Sequence, residues 1–270
     1  MAAISHSNTE ASRLVLKSGV EIAYSQVGCG PPLVFLHCWG CSQSFWREQV
    51  PYFADSHTVL TLDFRGHGAS DMPEDGYTLT QLATDVRELL SELDLSPSIL
   101  VGHSMGGMVA QRLAIDYPDD VRSLVLVATT SADPDNTLIS ARVADGTPKL
   151  GYAVALTKNF PRWFSPDADS TIVEWTRTEM LRTPEQVTLG LVSHYRGLDF
   201  RPELPVIEVP TLVIAAKGDA STPVTASEIM ARLIPDSELV VVGGVGHFVQ
   251  LERPDEVNSA IQRFLLNRGL

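Results

Sequence analysis

Residues 98–107 read SILVGHSMGG, and this stretch decides the fold assignment. Its first four residues form a short apolar run typical of a buried strand, and an amphipathic pattern over residues 105–117 predicts a helix. Between the two, residues 102–106 form a GxSxG motif on the turn from strand to helix. A serine on such a turn stands clear of neighbouring side chains, with the helix N-terminus behind it. We therefore expect Ser104 to be a nucleophile, with a buried structural serine as the alternative.

A serine hydroxyl is a weak nucleophile and needs a base that is oriented by a third group. Asp219 follows the apolar run VIAA at residues 213–216, and His247 follows the last apolar run after the turn GGVG. Most other histidines lie in the N-terminal tail, in glycine-rich turns or away from a strand end. Asp219 and His247 are therefore the candidate acid and base. Plain turn chemistry is the alternative for Asp219, and a structural role is the alternative for His247.

Eight short apolar and β-branched runs predict strands. They span residues 14–16, 21–24, 33–36, 58–62, 99–101, 124–127, 212–215 and 239–242. Amphipathic patterns predict helices at residues 79–95, 105–117 and 254–266. The later runs are continuously apolar, as expected for strands that helices cover on both faces. The expected fold class is α/β, with a doubly wound, mostly parallel eight-stranded sheet.

The alternation of strands and helices stops between residue 131 and about residue 205. This segment has a helical, irregular pattern and is rich in aromatic residues, namely Tyr152, Phe160, Trp163, Phe164, Trp175, Tyr195 and Phe200. We interpret residues 131–205 as a helical cap inserted into a core of residues 1–130 and 206–270. Such a cap closes over the carboxyl ends of the strands, where folds of this class keep their sites. Ordinary buried aromatics are the alternative interpretation.

The composition limits the possible partners. The 270 residues include 20 Lys and Arg against 33 Asp and Glu, which gives a formal net charge of −13. An acidic surface repels phosphates, which disfavours nucleic acid and anionic membranes as main partners. No apolar run is long enough to span a bilayer, and the first 13 residues read as a frayed tail rather than a signal peptide. We expect a small-molecule substrate as the partner, and the oligomeric state stays open.

The three cysteines, Cys29, Cys38 and Cys41, cannot form a disulfide framework, and their odd number favours a reducing, cytoplasmic location. The last two form a CxxC motif, CWGC, which in another chain would indicate a redox site. A redox fold of that type is much shorter and would not explain the order of Ser104, Asp219 and His247. No second ligand pair indicates a metal site. We therefore expect free thiols without a catalytic part.

Five motifs occur in order along the chain. They are LVFLHCWG at residues 33–40, DFRGHGASD at 63–71, LVGHSMGG at 100–107, PTLVIAAKGD at 210–219 and GVGHFVQLERPDEV at 244–257. With these motifs the chain resembles the α/β-hydrolase fold superfamily from about residue 14 to residue 266. The stretches RWFSP at 162–166 and MLRT at 180–183 are similar to the small-cap branch that contains 3-oxoadipate enol-lactonases and small esterases.

The resemblance implies a catalytic triad of Ser104, Asp219 and His247, and an oxyanion hole made by the backbone N–H groups of Trp39 and Met105. It implies no metal and no organic cofactor. Cys38 departs from the pattern, because the family usually has glycine there, and this puts the geometry around Trp39 in question. We expect a substrate pocket lined by His37, Trp39, His103, Phe160, Trp163, Phe164 and Phe248.

The leading functional hypothesis is an esterase or lactonase that cleaves a hydrophobic or aromatic substrate through an acyl-enzyme on Ser104. The alternative is a cofactor-free dioxygenase of the same fold, which uses His247 as base on a 3-hydroxy-4-quinolone-type heterocycle. Those enzymes carry a tryptophan at the position that matches Trp39. Their catalytic acid follows the sixth strand, where this chain has Ala, Thr and Thr at residues 128–130 and no acid. A receptor-like binder that keeps the triad is a third possibility. Epoxide hydrolases and haloalkane dehalogenases are disfavoured because they carry a carboxylate at the position of Ser104.

Overall fold

The computed structural model describes residues 12–133 and 135–270, so the N-terminal tail discussed above lies almost entirely outside the described residues. Eight strands build one sheet. They are β1 (Ser12–Val15), β2 (Glu21–Val27), β3 (Pro32–Leu36), β4 (Thr58–Leu62), β5 (Ser98–His103), β6 (Val121–Val127), β7 (Thr211–Ala216) and β8 (Ser237–Val242). Their spatial order is β1-β2-β4-β3-β5-β6-β7-β8. β2 pairs antiparallel with β1 and with β4, and every other pair is parallel. The mostly parallel eight-stranded sheet is therefore confirmed.

Ten α-helices accompany the sheet in the described residues. They are α1 (Val50–Phe53), α2 (Leu79–Glu92), α3 (Met105–Asp116), α4 (Ile139–Leu150), α5 (Tyr152–Asn159), α6 (Ser170–Met180), α7 (Glu185–Tyr195), α8 (Val224–Leu233), α9 (Val249–Glu252) and α10 (Pro254–Arg268). The three helices predicted from periodicity are α2, α3 and α10, each with its end displaced by one to three residues. No helix in the described part of the chain is long and apolar enough to cross a membrane.

Side chains of the central strands alternate between two apolar clusters, one on each face of the sheet. In β3, Leu33 and Phe35 belong to the cluster that includes Phe264 of α10, whereas Val34 and Leu36 belong to the cluster that includes Leu82 of α2. Both sets of strand residues are fully buried. Helices therefore cover both faces, which explains why these strands are continuously apolar in sequence.

The chain between β6 and β7 contains α4, α5, α6 and α7 and no strand of the sheet among its described residues. Side chains of this segment, such as Leu156 and Trp163, share one apolar cluster with Trp39, Met108 and Phe248 of the remaining chain. The helical insertion therefore packs directly on the loops at the carboxyl ends of the strands. Its exact division from the core at residues 131 and 205 stays a prediction.

Candidate active site

Ser104 lies on a strained turn between β5 and α3. Its φ of 53° and ψ of −114° are unusual for a residue with a side chain, and its N–H donates to the Val127 carbonyl at 3.0 Å. A Cβ at Gly106 would lie 2.1 Å from the Leu36 carbonyl oxygen, and a Cβ at Gly102 would lie 2.4 Å from the Gly106 oxygen. The two glycines of the motif are therefore required by close backbone packing, which holds the serine in its strained conformation.

Asp219 and His247 form a buried pair. Nδ1 of His247 lies 2.7 Å from Oδ2 of Asp219. The carboxylate also accepts the Ser221 N–H at 2.7 Å, and the N–H and hydroxyl of Thr222 at 3.0 and 2.6 Å. Burial by itself raises the pKa of Asp219, but His247 and Thr222 outweigh it and lower the pKa below its usual value. Asp219 is therefore an ionised carboxylate, and it accepts a hydrogen bond from the His247 N–H.

Ser104 and His247 line the same cavity. The cavity's lining residues are Cys38, Trp39, Ser104, Met105, Met108, Leu138, Ser140, Trp163, Met180, Tyr195, Ser221, His247 and Phe248. None of these residues is lysine, arginine or a carboxylic acid. Its free volume is about 20 Å³, room for little more than a water molecule. A larger substrate therefore requires side-chain movement, and three of the lining residues are methionines, whose side chains adapt readily.

The backbone N–H groups of Trp39 and Met105 have no hydrogen-bond acceptor among the described residues. Trp39 lies in the loop after β3, and Met105 is the first residue of α3, so both are at the carboxyl end of the sheet. The Trp39 indole N–H donates to the Thr188 carbonyl of α7 at 3.0 Å, which fixes the ring against the insertion. Cys38 is not among the described residues with positive φ, so its side chain costs no left-handed strain. The two unpaired donors thus belong to residues that line the same cavity as Ser104.

Two buried histidines fix the loop that carries Trp39. Nδ1 of His37 donates to the carbonyl of the next residue at 2.8 Å, and its Nε2 accepts the Phe64 N–H at 3.1 Å. Nδ1 of His67 donates to the Arg65 carbonyl at 3.0 Å, and its Nε2 accepts the Gly40 N–H at 3.3 Å. Burial lowers the pKa of His37 to about 4 and that of His67 to about 3. Both rings are therefore neutral structural elements of the loop.

The structure places three of the seven expected pocket residues on the cavity wall, namely Trp39, Trp163 and Phe248. The other four, His37, His103, Phe160 and Phe164, are absent from the wall in the described part of the chain. The His37 ring forms hydrogen bonds that fix the loop carrying Trp39. Nε2 of His103 donates to the His247 carbonyl at 2.9 Å, and its Nδ1 accepts from the Gln250 amide at 3.1 Å.

Phe160 and Phe164 form a second aromatic layer behind the wall. The ring centroid of Phe160 lies 5.8 Å from that of Trp163, and the Phe164 ring stacks on Phe248 at 5.1 Å. These two side chains therefore support the wall and do not belong to it. The sequence could not separate the two layers, because residues 160–164 form one tight turn with aromatics on several sides.

Some functional positions were missed by reasoning from the sequence. Thr222 binds Asp219, and its spacing of three residues is a signal of local side-chain bonding that could have been noticed. Glu252 is nearly buried, and it accepts the Gly246 N–H at 2.9 Å and the N–H and hydroxyl of Ser165 at 3.1 and 2.5 Å. This carboxylate ties the histidine loop to the helical insertion. No local sequence pattern predicts that role.

Among residues 12–133 and 135–270, no group of three or more histidine, cysteine, aspartate or glutamate side chains is arranged to hold a metal ion. At the site itself the structure brings together a serine, an aspartate–histidine pair and two backbone donors.

Comparisons with known proteins show which family the chain is similar to. A family model described as the alpha/beta hydrolase family matches residues 33–260. A 3-oxoadipate enol-lactonase from Acinetobacter baylyi is 32% identical over 235 residues, which cover 86% of this chain and 87% of that protein. A putative non-heme chloroperoxidase from Synechocystis is 30% identical over 272 residues, which cover 91% of this chain and 95% of that protein. The enol-lactonase structure from Burkholderia xenovorans superposes with a TM-score of 0.87 at 26% identity, covering 94% of this chain and all of that one.

Proposed function

Because the chain belongs to the α/β-hydrolase family, we propose that it is a serine hydrolase that cleaves an ester or lactone of a hydrophobic or aromatic small molecule through an acyl-enzyme on Ser104. One observation carries the proposal. His247, whose Nδ1 lies 2.7 Å from the buried Asp219 carboxylate, lines the same cavity as a serine on a strained turn. This is the arrangement that acyl transfer requires of a nucleophile, a base and an orienting acid.

The proposed reaction uses the chain's own groups at every step. Since Nδ1 of His247 donates to Asp219, Nε2 is the basic nitrogen of the neutral ring. It takes the Ser104 proton as Oγ attacks the carbonyl carbon, and the N–H groups of Trp39 and Met105 donate to the resulting oxyanion. His247 then gives its proton to the leaving alkoxide. Water, deprotonated by His247, attacks the acyl carbon and releases the acid and Ser104.

The cavity supports an uncharged substrate. Its walls are mainly aromatic and methionine side chains, and none of the described lining residues is a cation. A carboxylate brought into this cavity would lose its hydration without an ionic partner, which is costly. The name of the Acinetobacter relative specifies a lactone of a dicarboxylic acid. We propose that this chain acts instead on a neutral ester or lactone with a small acyl group.

The position of the acid favours hydrolysis over cofactor-free oxygenation. In the alternative reading the acid would follow the sixth strand, yet residues 128–130 are Ala, Thr and Thr, and Asp219 after β7 supplies the partner of His247. Because Trp39 lines the cavity, the cofactor-free dioxygenase is the second candidate function. Both reactions use His247 as a base, so variants of that residue do not distinguish them.

The deciding experiment compares the purified protein with a Ser104→Ala variant, in air and in anaerobic buffer. The substrates are p-nitrophenyl butyrate, which is neutral, and the p-nitrophenyl half-ester of succinate, which is anionic. We expect the neutral ester to be preferred, Ser104→Ala to lower kcat/KM by about 10⁴-fold or more, and oxygen to have no effect. Ser91→Ala, an exposed serine of α2, is the matched control.

Two results would reject this assignment. The first is a Ser104→Ala variant that hydrolyses the neutral ester as fast as the wild type. The second is oxygen consumption that matches product formation on a 3-hydroxy-4-quinolone-type compound, with Ser104→Ala still active, which would establish the dioxygenase instead.

A further inference from the structure

Cys38 and Cys41 form a buried pair of thiols in the loop after β3. Their Sγ atoms are 2.8 Å apart, and each residue is only 2% exposed. The Cys41 N–H donates to the Cys38 carbonyl at 3.2 Å, and Gly40 between them has a φ of +70°. This tight turn directs both side chains to the same place. The backbone therefore already brings the two sulfurs together, and a disulfide bond between them would need no large rearrangement.

The catalytic cavity gives access to only one of the two thiols. Cys38 lines the cavity beside Ser104, whereas Cys41 is not among its described lining residues and lies behind Cys38. The hydrolytic reaction proposed above uses the backbone N–H of Trp39 and neither sulfur. Cys29, by contrast, is an exposed thiol in the loop after β2. The chain thus offers one enclosed pair and one exposed thiol for comparison.

We propose that Cys38 and Cys41 are a dithiol site that reduces a small hydroperoxide entering through the catalytic cavity and closes to a disulfide. In the first step the Cys38 thiolate attacks one peroxide oxygen, the O–O bond breaks, and a sulfenic acid forms as water or an alcohol leaves. In the second step the Cys41 sulfur attacks the Cys38 sulfur, the S–O bond breaks, and a second water leaves. The two thiols lose two electrons and two protons, and the hydroperoxide gains them.

Local electrostatics assign the order of the two thiols. Burial by itself raises the pKa of Cys38, but the contacts that oppose burial, of which the hydrogen bond from the Cys41 thiol is the largest, lower the pKa below its ordinary value. Burial and the neighbouring Cys38 raise the pKa of Cys41. The thiolate is the nucleophile in such reactions. Cys38 is therefore the attacking sulfur at the cavity wall, and Cys41 is the resolving sulfur behind it.

The size of the cavity defines the oxidant. With a free volume of about 20 Å³, it has room for a water-sized molecule, and hydrogen peroxide is of that size. Cumene hydroperoxide carries an aromatic ring, so it enters only when the walls move, as they must for a larger ester, whereas hydrogen peroxide enters without that movement. The enclosed pair should therefore discriminate between the two peroxides much more strongly than Cys29, which meets both in solvent.

The experiment treats the reduced full-length protein with hydrogen peroxide or cumene hydroperoxide and maps each cysteine by mass spectrometry. With hydrogen peroxide we expect an intrachain Cys38–Cys41 disulfide, recognised by the loss of two hydrogen atoms and reversed by dithiothreitol. The rate ratio between the two peroxides should be at least about tenfold larger for the pair than for Cys29, because only the pair is enclosed. In Cys41→Ser, dimedone should trap a sulfenic acid on Cys38. In Cys38→Ser, Cys41 should remain unlabelled.

Three results would overturn the proposal. They are a pair that stays reduced after Cys29 is fully oxidised, a dimedone adduct on Cys41 instead of Cys38, and equal peroxide discrimination at all three cysteines. The readouts are chemical states of sulfur and need no hydrolytic turnover. The dithiol site and the proposed hydrolase activity can therefore fail independently of one another.

Discussion

Mild acid should destabilise the folded protein through His37 and His67. In both rings Nε2 faces a backbone N–H donor, so a second proton there would place two donors against each other. Burial lowers the pKa of His37 from 6.5 to about 4 and that of His67 from 6.5 to about 3. The folded protein therefore resists a protonation that the unfolded chain accepts at about pH 6.5.

The sign and size of the effect follow from proton linkage. Below about pH 6.5 the unfolded chain binds two protons that the folded protein excludes, so the free energy of unfolding falls as the pH falls. With the folded pKa values near 4 and 3, each histidine should remove about 2 kcal/mol of stability between pH 7.5 and pH 5. The pair should remove about 4 kcal/mol, which is a large part of the stability of a typical domain.

Urea unfolding at several pH values between 7.5 and 5 measures this loss. His37→Asn and His67→Asn should each start from a lower stability at pH 7.5 but lose about 2 kcal/mol less than the wild type on going to pH 5. Carboxylates that titrate in the same range are common to all variants and cancel in the comparison. His194→Asn replaces an exposed histidine of α7 and is the matched control. Curves for both buried-histidine variants that run parallel to the wild type would refute the reasoning.

Three further predictions concern the site. Asp219→Asn should lower kcat by about 10⁴-fold and also reduce stability, because the amide NH₂ must replace one of two carboxylate oxygens that both accept hydrogen bonds; assays and thermal melts check both, and full activity would contradict it. Glu252→Gln should weaken the hydrogen bonds that join the histidine loop to Ser165 and so lower kcat about tenfold, with His247→Ala as the inactive reference. An unchanged kcat would show that these hydrogen bonds do not position His247. Gly106→Ala should cost more than about 3 kcal/mol by urea unfolding, since its Cβ would meet Leu36 oxygen at 2.1 Å, and near-wild-type stability would be inconsistent with that contact.

The local part of this architecture was predictable from the sequence. The turn at Ser104 is set by residues within a few positions of it, namely an apolar strand, two glycines and an amphipathic helix. The central strands were located because burial on both faces leaves a continuous apolar run, and the more exposed β1 and β8 were located from short apolar and β-branched runs of their own. Asp219 and His247 could be chosen because Asp219 follows the buried β7 and His247 follows β8, the last strand.

The cavity wall was not predictable to the same degree, because it is made by contacts between distant segments. Met180 and Tyr195 reach the cavity from the ends of α6 and α7, and no local pattern specifies how those helices pack. His37 and His103 are adjacent in sequence to cavity residues, yet their rings bind backbone groups on the other side. The CxxC spacing indicated that two sulfurs could meet, but it did not show that Cys38 would lie in the wall beside Ser104.

Covalent labelling tests directly whether Ser104 is a base-activated nucleophile. The protein is saturated with a fluorophosphonate, digested, and mapped by mass spectrometry, with His247→Ala treated in parallel. A serine activated by a histidine reacts with such reagents, whereas ordinary serines do not. We expect one adduct per chain, on Ser104, and a label that is lost or greatly slowed in His247→Ala. An unlabelled Ser104 in the wild type, or equal labelling in both proteins, would contradict this expectation.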